Sequence, residues 1–116
     1  MGLNTTAKNA MLSSIISQAV YASIHNNDPG ETGANEISGG SPAYARKSLT
    51  WGTPSNGSVS ITNQPVFDIP AGTTVKYVGL WSAPTGGTFY GSVAVTNETY
   101  TGQGTYIITS GTISLT

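Results

Sequence analysis

The stretch from Pro65 to Ala83, PVFDIPAGTTVKYVGLWSA, limits what this chain can become more than any other. It reads as two apolar strands, Val66–Ile69 and Val75–Trp81, joined by the turn Pro70-Ala71-Gly72-Thr73. Pro presets φ at one turn position and Gly accepts a positive φ at another. In an extended chain, Val75, Tyr77, Gly79 and Trp81 face one side, and Lys76, Val78 and Leu80 the other. Both sides are largely apolar. The spacing therefore predicts a central strand covered on each face.

The rest of the chain supplies more strands and one helix. Asn4, Thr5 and Thr6 are capping residues. After them Ala7, Met11, Ile15 and Ala19 recur every fourth position, with Leu12, Ile16 and Val20 extending the stripe. This predicts one amphipathic helix over residues 5–18, lying on a face of the β-structure or docking on a neighbour. From Val20 the period changes to two: Val20, Ala22 and Ile24 alternate with Tyr21, Ser23 and His25. Residues 26–42, NNDPGETGANEISGGSP, read as a long polar loop. Loops longer than about 12–15 residues are uncommon and often carry contacts. Tyr44–Thr50 reads as a strand closed by Trp51, and Asn56-Gly57 as a hairpin turn before Ser58–Thr62. Thr88–Val95 is the next strand, with Phe89, Gly91, Val93 and Val95 sharing a face. Thr96-Asn97-Glu98 and Thr101–Gly104 read as turns, and Tyr106–Ile108 and Thr112–Leu115 as the last strands.

About eight short strands with turns every 8–12 residues are the signature of a sandwich or barrel. The expected fold is mainly β: one domain over residues 1–116, an antiparallel β-sandwich of jelly-roll type with an N-terminal helix.

Composition narrows function by exclusion. Charged residues make up 8% of the chain and the formal net charge is -1, against about 25% charged in an ordinary domain. With 4 Lys and Arg in all, the chain is a poor binder of nucleic acid, whose phosphates call for basic side chains. It also lacks the charge that keeps proteins apart, which suits life inside an assembly. There is no cysteine and no apolar run near the roughly 20 residues of a membrane span. The Met1 end is polar and its first apolar run is broken by serines, so no secretory signal is expected.

Catalytic patterns are sparse. His25 is the sole histidine, and no G-x-S-x-G elbow accompanies it, so it reads as an ordinary strand residue. Asp28 and Glu31, in a loop with Asn26, Asn27 and Asn35, offer oxygens to a hard cation, but their spacing does not match the calcium loop. No phosphate-binding loop is present. We expect no enzyme activity, cofactor or metal site. The aromatics Trp51, Trp81 and Tyr90 leave a glycan-stacking face as an alternative function.

Three segments carry a resemblance: GLNTTAKNAM (Gly2–Met11), IHNNDPGETGANEISGGSPAYAR (Ile24–Arg46) and PAGTTVKYVGLWSAPTGGTFYGS (Pro70–Ser92). In their order and joint presence the chain resembles a family of small virion proteins of tailed phages, especially those of actinobacterial hosts, labelled tail fibre or minor tail protein. The resemblance implies a virion structural protein made in the host cytoplasm. It would be a small tail subunit or a decoration protein on the capsid, packing against its own copies and other virion proteins, with a host-surface glycan as the alternative ligand. Nucleic acid and membrane are not expected partners. The contact candidates are Met11 and Ile15 on the helix stripe, and Asp28, Glu31, Asn35 and Glu36 in the long loop.

Overall fold

The structure, a computed structural model, describes residues 2–115. One helix, α1 (Thr5–Ile16), precedes eight strands: β1 (Tyr21–His25), β2 (Lys47–Ser48), β3 (Ser58–Ser60), β4 (Val66–Ile69), β5 (Thr73–Trp81), β6 (Phe89–Tyr100), β7 (Gly104–Ile107) and β8 (Thr112–Ser114). The expected mainly β fold with a leading helix is the one adopted. All the strand pairs are antiparallel, in a four-stranded sheet of order β2-β1-β5-β6 and two two-stranded sheets, β3-β8 and β4-β7.

β5 is central, as its two apolar sides require. Its register with β1 runs from Tyr21↔Trp81 to His25↔Tyr77. Ala22, Ile24, Val78 and Leu80 thereby share the inner face, and Ser23, His25, Gly79 and Trp81 the outer one. The inner face packs on Phe67, Ile69, Leu49 and Ile37, which form the core with it. Each of these side chains contributes about 1.5–3 kcal/mol by leaving water. Val75 departs from strict alternation. It belongs to the inner cluster with Val78 rather than sharing a face with Tyr77, and the pairing with β6 slips between Val75 and Tyr77.

β4 and β5 do not pair with each other. β4 pairs with β7, from Val66↔Ile107 to Ile69↔Gly104, while β5 lies between β1 and β6. The Pro70–Thr73 turn, with Gly72 at φ 78, instead carries the chain from one layer to the other. Crossing over sets Phe67 and Ile69 across the core from Ile24 and Val78. A hairpin would have left them side by side in one sheet.

Other expectations shift for local reasons. α1 starts where expected, the Asn4 Oδ1 accepting from Ala7 N at 2.9 Å. It stops at Ile16, where Ser17 forms the C-cap and its hydroxyl donates to Ser14 O. Of the predicted stripe within the helix only Leu12 is fully buried, and Met11 is half exposed. α1 packs beside β3, with Gly57 N donating to Asn9 Oδ1 at 3.0 Å. The Asn56-Gly57 turn forms with φ of 53 and 75, and Ser55 and Ser58 exchange backbone bonds across it. The predicted Tyr44–Thr50 strand shrinks to Lys47–Ser48 because Tyr44 and Arg46 point inward to Glu36. β6 runs straight through Thr96-Asn97-Glu98. Its pairing advances from Tyr77↔Ala94 to Val75↔Glu98, so the turn-forming residues are taken up as a bulge.

Candidate interaction surface

The long loop is not free. Asn26 N donates to Asn35 O and Ile37 N to Ile24 O, so its far end returns along β1, and Ile37 and Pro29 are buried. The loop, rather than α1, covers the outer face of the large sheet. At Gly33, whose φ is 78, an added Cβ would run into the Trp81 ring. Gly79 is as tightly met: a Cβ there would lie 2.5 Å from Ser23 Oγ and 2.8 Å from His25 Nε2. Side chains are excluded at both positions so that loop and strand can close.

Under the loop sits a connected polar cluster. His25 Nδ1 lies 2.7 Å from Ala34 O, which only accepts, so Nδ1 carries the proton. Nε2 then accepts from the Ser23 hydroxyl at 2.7 Å, and Ser23 Oγ in turn accepts from Trp81 Nε1 at 2.9 Å. Ser23 and His25 are both 0% exposed. The serine–histidine pair resembles part of a hydrolytic triad, but the group that orients the ring is a backbone carbonyl and no open surface reaches the serine. Alongside, the Arg46 guanidinium donates through two nitrogens to the Glu36 carboxylate at 2.9 Å each. It also donates to Ala83 O and Gly86 O at 3.0 and 2.8 Å, and stacks 3.7 Å over the Trp81 ring. Tyr44 donates its hydroxyl proton to Glu36 at 2.7 Å and accepts from Ile24 N. Among the described residues every buried side-chain polar atom has a partner.

Burial pushes His25 below its ordinary value, partly opposed by the Ala34 carbonyl and the Glu36 charge. Burial alone would raise Glu36, but the hydrogen bonds from Arg46 and Tyr44 and the Arg46 charge outweigh it, and the carboxyl sits low. Burial raises Tyr44 strongly. The lowered values of His25 and Glu36 both make acid destabilising. Unfolded chains protonate histidine at about pH 6.5, and below that the unfolded state holds more protons, so stability falls with pH. The Glu36 contribution is lost in turn as pH falls through its depressed value. Melting temperature is therefore expected to be flat from pH 8 to about 6.5 and to decline below it. The His25→Gln variant should melt lower at pH 8 yet lose the first part of that decline. An unchanged pH profile would show that His25 does not titrate across folding.

The other notable surface lies on the inner side, where the two layers part. An apolar slot of about 810 Å³ opens between β6 and the segment 106–113, with Val78 and Leu80 among its lining and Ile15 also reaching it. Val93 and Ile107 border it and are 61% and 49% exposed. Val66, opposite Ile107 in the β4–β7 pair, is 46% exposed. Phe89 is absent from this face. The pairing slips between Leu80 and Trp81, sending Phe89 to the outer side, its ring centroid 5.1 Å from that of Trp81.

The predicted contact residues separate into different settings. Met11 is exposed on α1 and Ile15 reaches the slot. Asp28 accepts from Gly30 N through Oδ1, and its carbonyl accepts from Asn35 Nδ2, so the two residues brace the loop's own turn. Asn35 holds φ at 64. Glu31 is exposed, and Glu36 is the anchor of Arg46. No three His, Asp or Glu side chains converge among the described residues. Of the aromatics weighed for glycan stacking, Trp81 is buried beneath Arg46. Trp51 spends its N–H on Ala19 O, and Tyr90 its hydroxyl on Gln18. Sequence reasoning missed Arg46, Ser23, Val93 and Ile107. The one signal for Arg46 was its place among only 4 basic residues in the chain.

Deleting Glu31–Gly39 would remove Ala34, Glu36 and Ile37, so it is expected to abolish folding, seen as loss of a cooperative melt, rather than only to weaken contacts.

Comparison with known proteins places these surfaces in context. The family model described as Podophage GP4 fiber I protein gp80 matches residues 3–116. No curated protein matches the chain. Among the described residues no helix is long and apolar enough to cross a membrane. With a family match over nearly its entire length, the chain belongs to this phage fibre family and is a virion component.

Proposed function

We propose that the chain is a small tail-fibre subunit that acts by packing against other virion proteins, its own copies among them, and that it makes and breaks no covalent bond. One observation carries the reading: exposed Val93 and Ile107 border an open apolar slot on a chain with almost no charge. Contiguous apolar surface of this kind marks protein contact sites. The fibre family favours a place in the tail over one on the capsid shell. The burial of Ser23 and His25 favours a structural over a hydrolytic role for that pair. The burial of the Trp81 ring, with Arg46 stacked over it, makes the glycan reading the weaker one.

Phage assembled with Ile107→Lys should carry much less of this protein per particle by quantitative mass spectrometry, while the purified variant melts within about 0.5 kcal/mol of the parent, as an exposed substitution should. Normal incorporation of both Ile107→Lys and Val93→Lys would defeat the reading.

A further inference from the structure

We propose that β6 pairs, edge to edge and antiparallel, with β6 of a second copy, joining the two four-stranded sheets into one. The proposal rests on the packing role above and names one partner for it.

β6 lies at the end of the sheet order and pairs only with β5 among the described residues, which leaves its other edge open. An open strand edge presents a row of N–H and C=O groups that another strand satisfies. Proteins usually guard such edges with brevity, lysine, proline, bulges or covering loops. The opposite edge of the same sheet, β2, is guarded in this way: it has 2 residues, and one is Lys47. The free strands of the small sheets have 3 or 4 residues. β6 has 12 residues, FYGSVAVTNETY, with no proline, no lysine and one charge, Glu98; its two irregularities, at Tyr90 and over residues 95–97, flank the regular stretch Gly91–Ala94. Residues 92–94 and 96–99 are exposed along it.

The sequence of β6 also complements itself. In an antiparallel pair centred on Ala94, Val93 faces Val95 of the second copy, and the bulge over residues 95–97 confines the regular pairing to the residues beside the axis. A β-branched pair of this kind stabilises neighbouring strands. The two Glu98 residues lie at opposite ends of the pair, so their carboxylates do not meet. A net charge of -1 per copy offers little repulsion. A two-fold axis normal to the sheet keeps the Val93 side of both copies on one face. The two slots then open side by side, and the exposed Val93 is covered in each copy. A two-fold contact of this type closes on itself and gives a dimer.

The chain contains no cysteine, so one introduced thiol gives a clean readout on the full-length protein. Ala94→Cys would lie opposite its own copy at a Cα separation of about 4.5–5.5 Å, within the span a disulfide bridges. Sedimentation equilibrium of the parent should give a dimer mass. Ala94→Cys should oxidise to a covalent dimer far faster than the exposed control Ser114→Cys. Val93→Lys should weaken dimerisation about tenfold or more while leaving the melt cooperative. A monomer up to high-micromolar concentration overturns the proposal, and so does a dimer in which Ala94→Cys links no faster than the control. Either result, with Ile107→Lys still lost from particles, leaves the packing role standing with a different virion protein as the neighbour. Normal incorporation of both lysine variants removes that role independently.

Discussion

Phe67→Ala is expected to destabilise the fold by about 3–5 kcal/mol, the largest effect of any single truncation in this chain. Phe67 is 0% exposed and belongs to the core between β4–β7 and the large sheet. It also stacks against Tyr44, the ring centroids 6.4 Å apart and the planes 20° from parallel. Removing the ring leaves a cavity bordered by two layers that come from separate sheets, so neither can move in to fill it without losing its own register. Domains of this size have about 5–15 kcal/mol in all, so the loss is a large fraction of the total. It should appear in urea unfolding as a lowered midpoint with an unchanged slope. Val66→Ala, one residue earlier and half exposed, should stay within about 0.5 kcal/mol. A Phe67→Ala cost no larger than the Val66→Ala cost would mean that β4 does not pack across the core.

Arg46→Ala is expected to cost about 2–4 kcal/mol, the range for losing several charge-assisted bonds and leaving a partly buried carboxylate without its cation. The guanidinium ties together three separate stretches: Glu36 in the long loop, the carbonyls of Ala83 and Gly86 in the β5–β6 turn, and the Trp81 ring. Its side chain is 9% exposed and that of Glu36 22%. Lysine at this position should recover little, because an ammonium on a flexible stem supplies neither the fork nor the stacking plane. A second readout separates this role from simple packing. Without Arg46, the burial that raises the Glu36 carboxyl is opposed mainly by Tyr44, so its titration by NMR should move upward. A stable Arg46→Ala protein with Glu36 still titrating low would refute the clamp. The same variant should loosen the loop first, seen as faster amide exchange at Ile37, whose N–H bonds to Ile24 O.

The legible parts of the fold were those set by neighbours in the chain. Asn4 caps the helix because its side chain reaches a backbone N–H three residues on. Asn56-Gly57 turns the chain because both residues tolerate positive φ. The central place of β5 was readable from two apolar sides on one strand. The misread parts depended on distant residues. Thr96-Asn97-Glu98 has turn chemistry, yet continues a strand because β5 pairs beside it. The Tyr44–Thr50 segment has strand character, yet its first residues turn inward to a carboxylate in another loop. That Asn35 donates its side-chain amide to the Asp28 carbonyl, seven residues back, was likewise not readable from polarity.

By itself, the order of residues determined the class of fold, the helix start, the tight turns and the fibre family, because each follows from local backbone preference or from motifs in linear sequence. Tertiary structure alone decided that β4 would face β5 rather than pair with it, that Ser23 and His25 would be sealed beneath the loop, and that Val93 and Ile107 would border an open slot. The physical reason is that strand pairing and burial are settled by which distant segments meet. Side chains with the same alternating pattern become core or surface according to whether a second layer arrives to cover them.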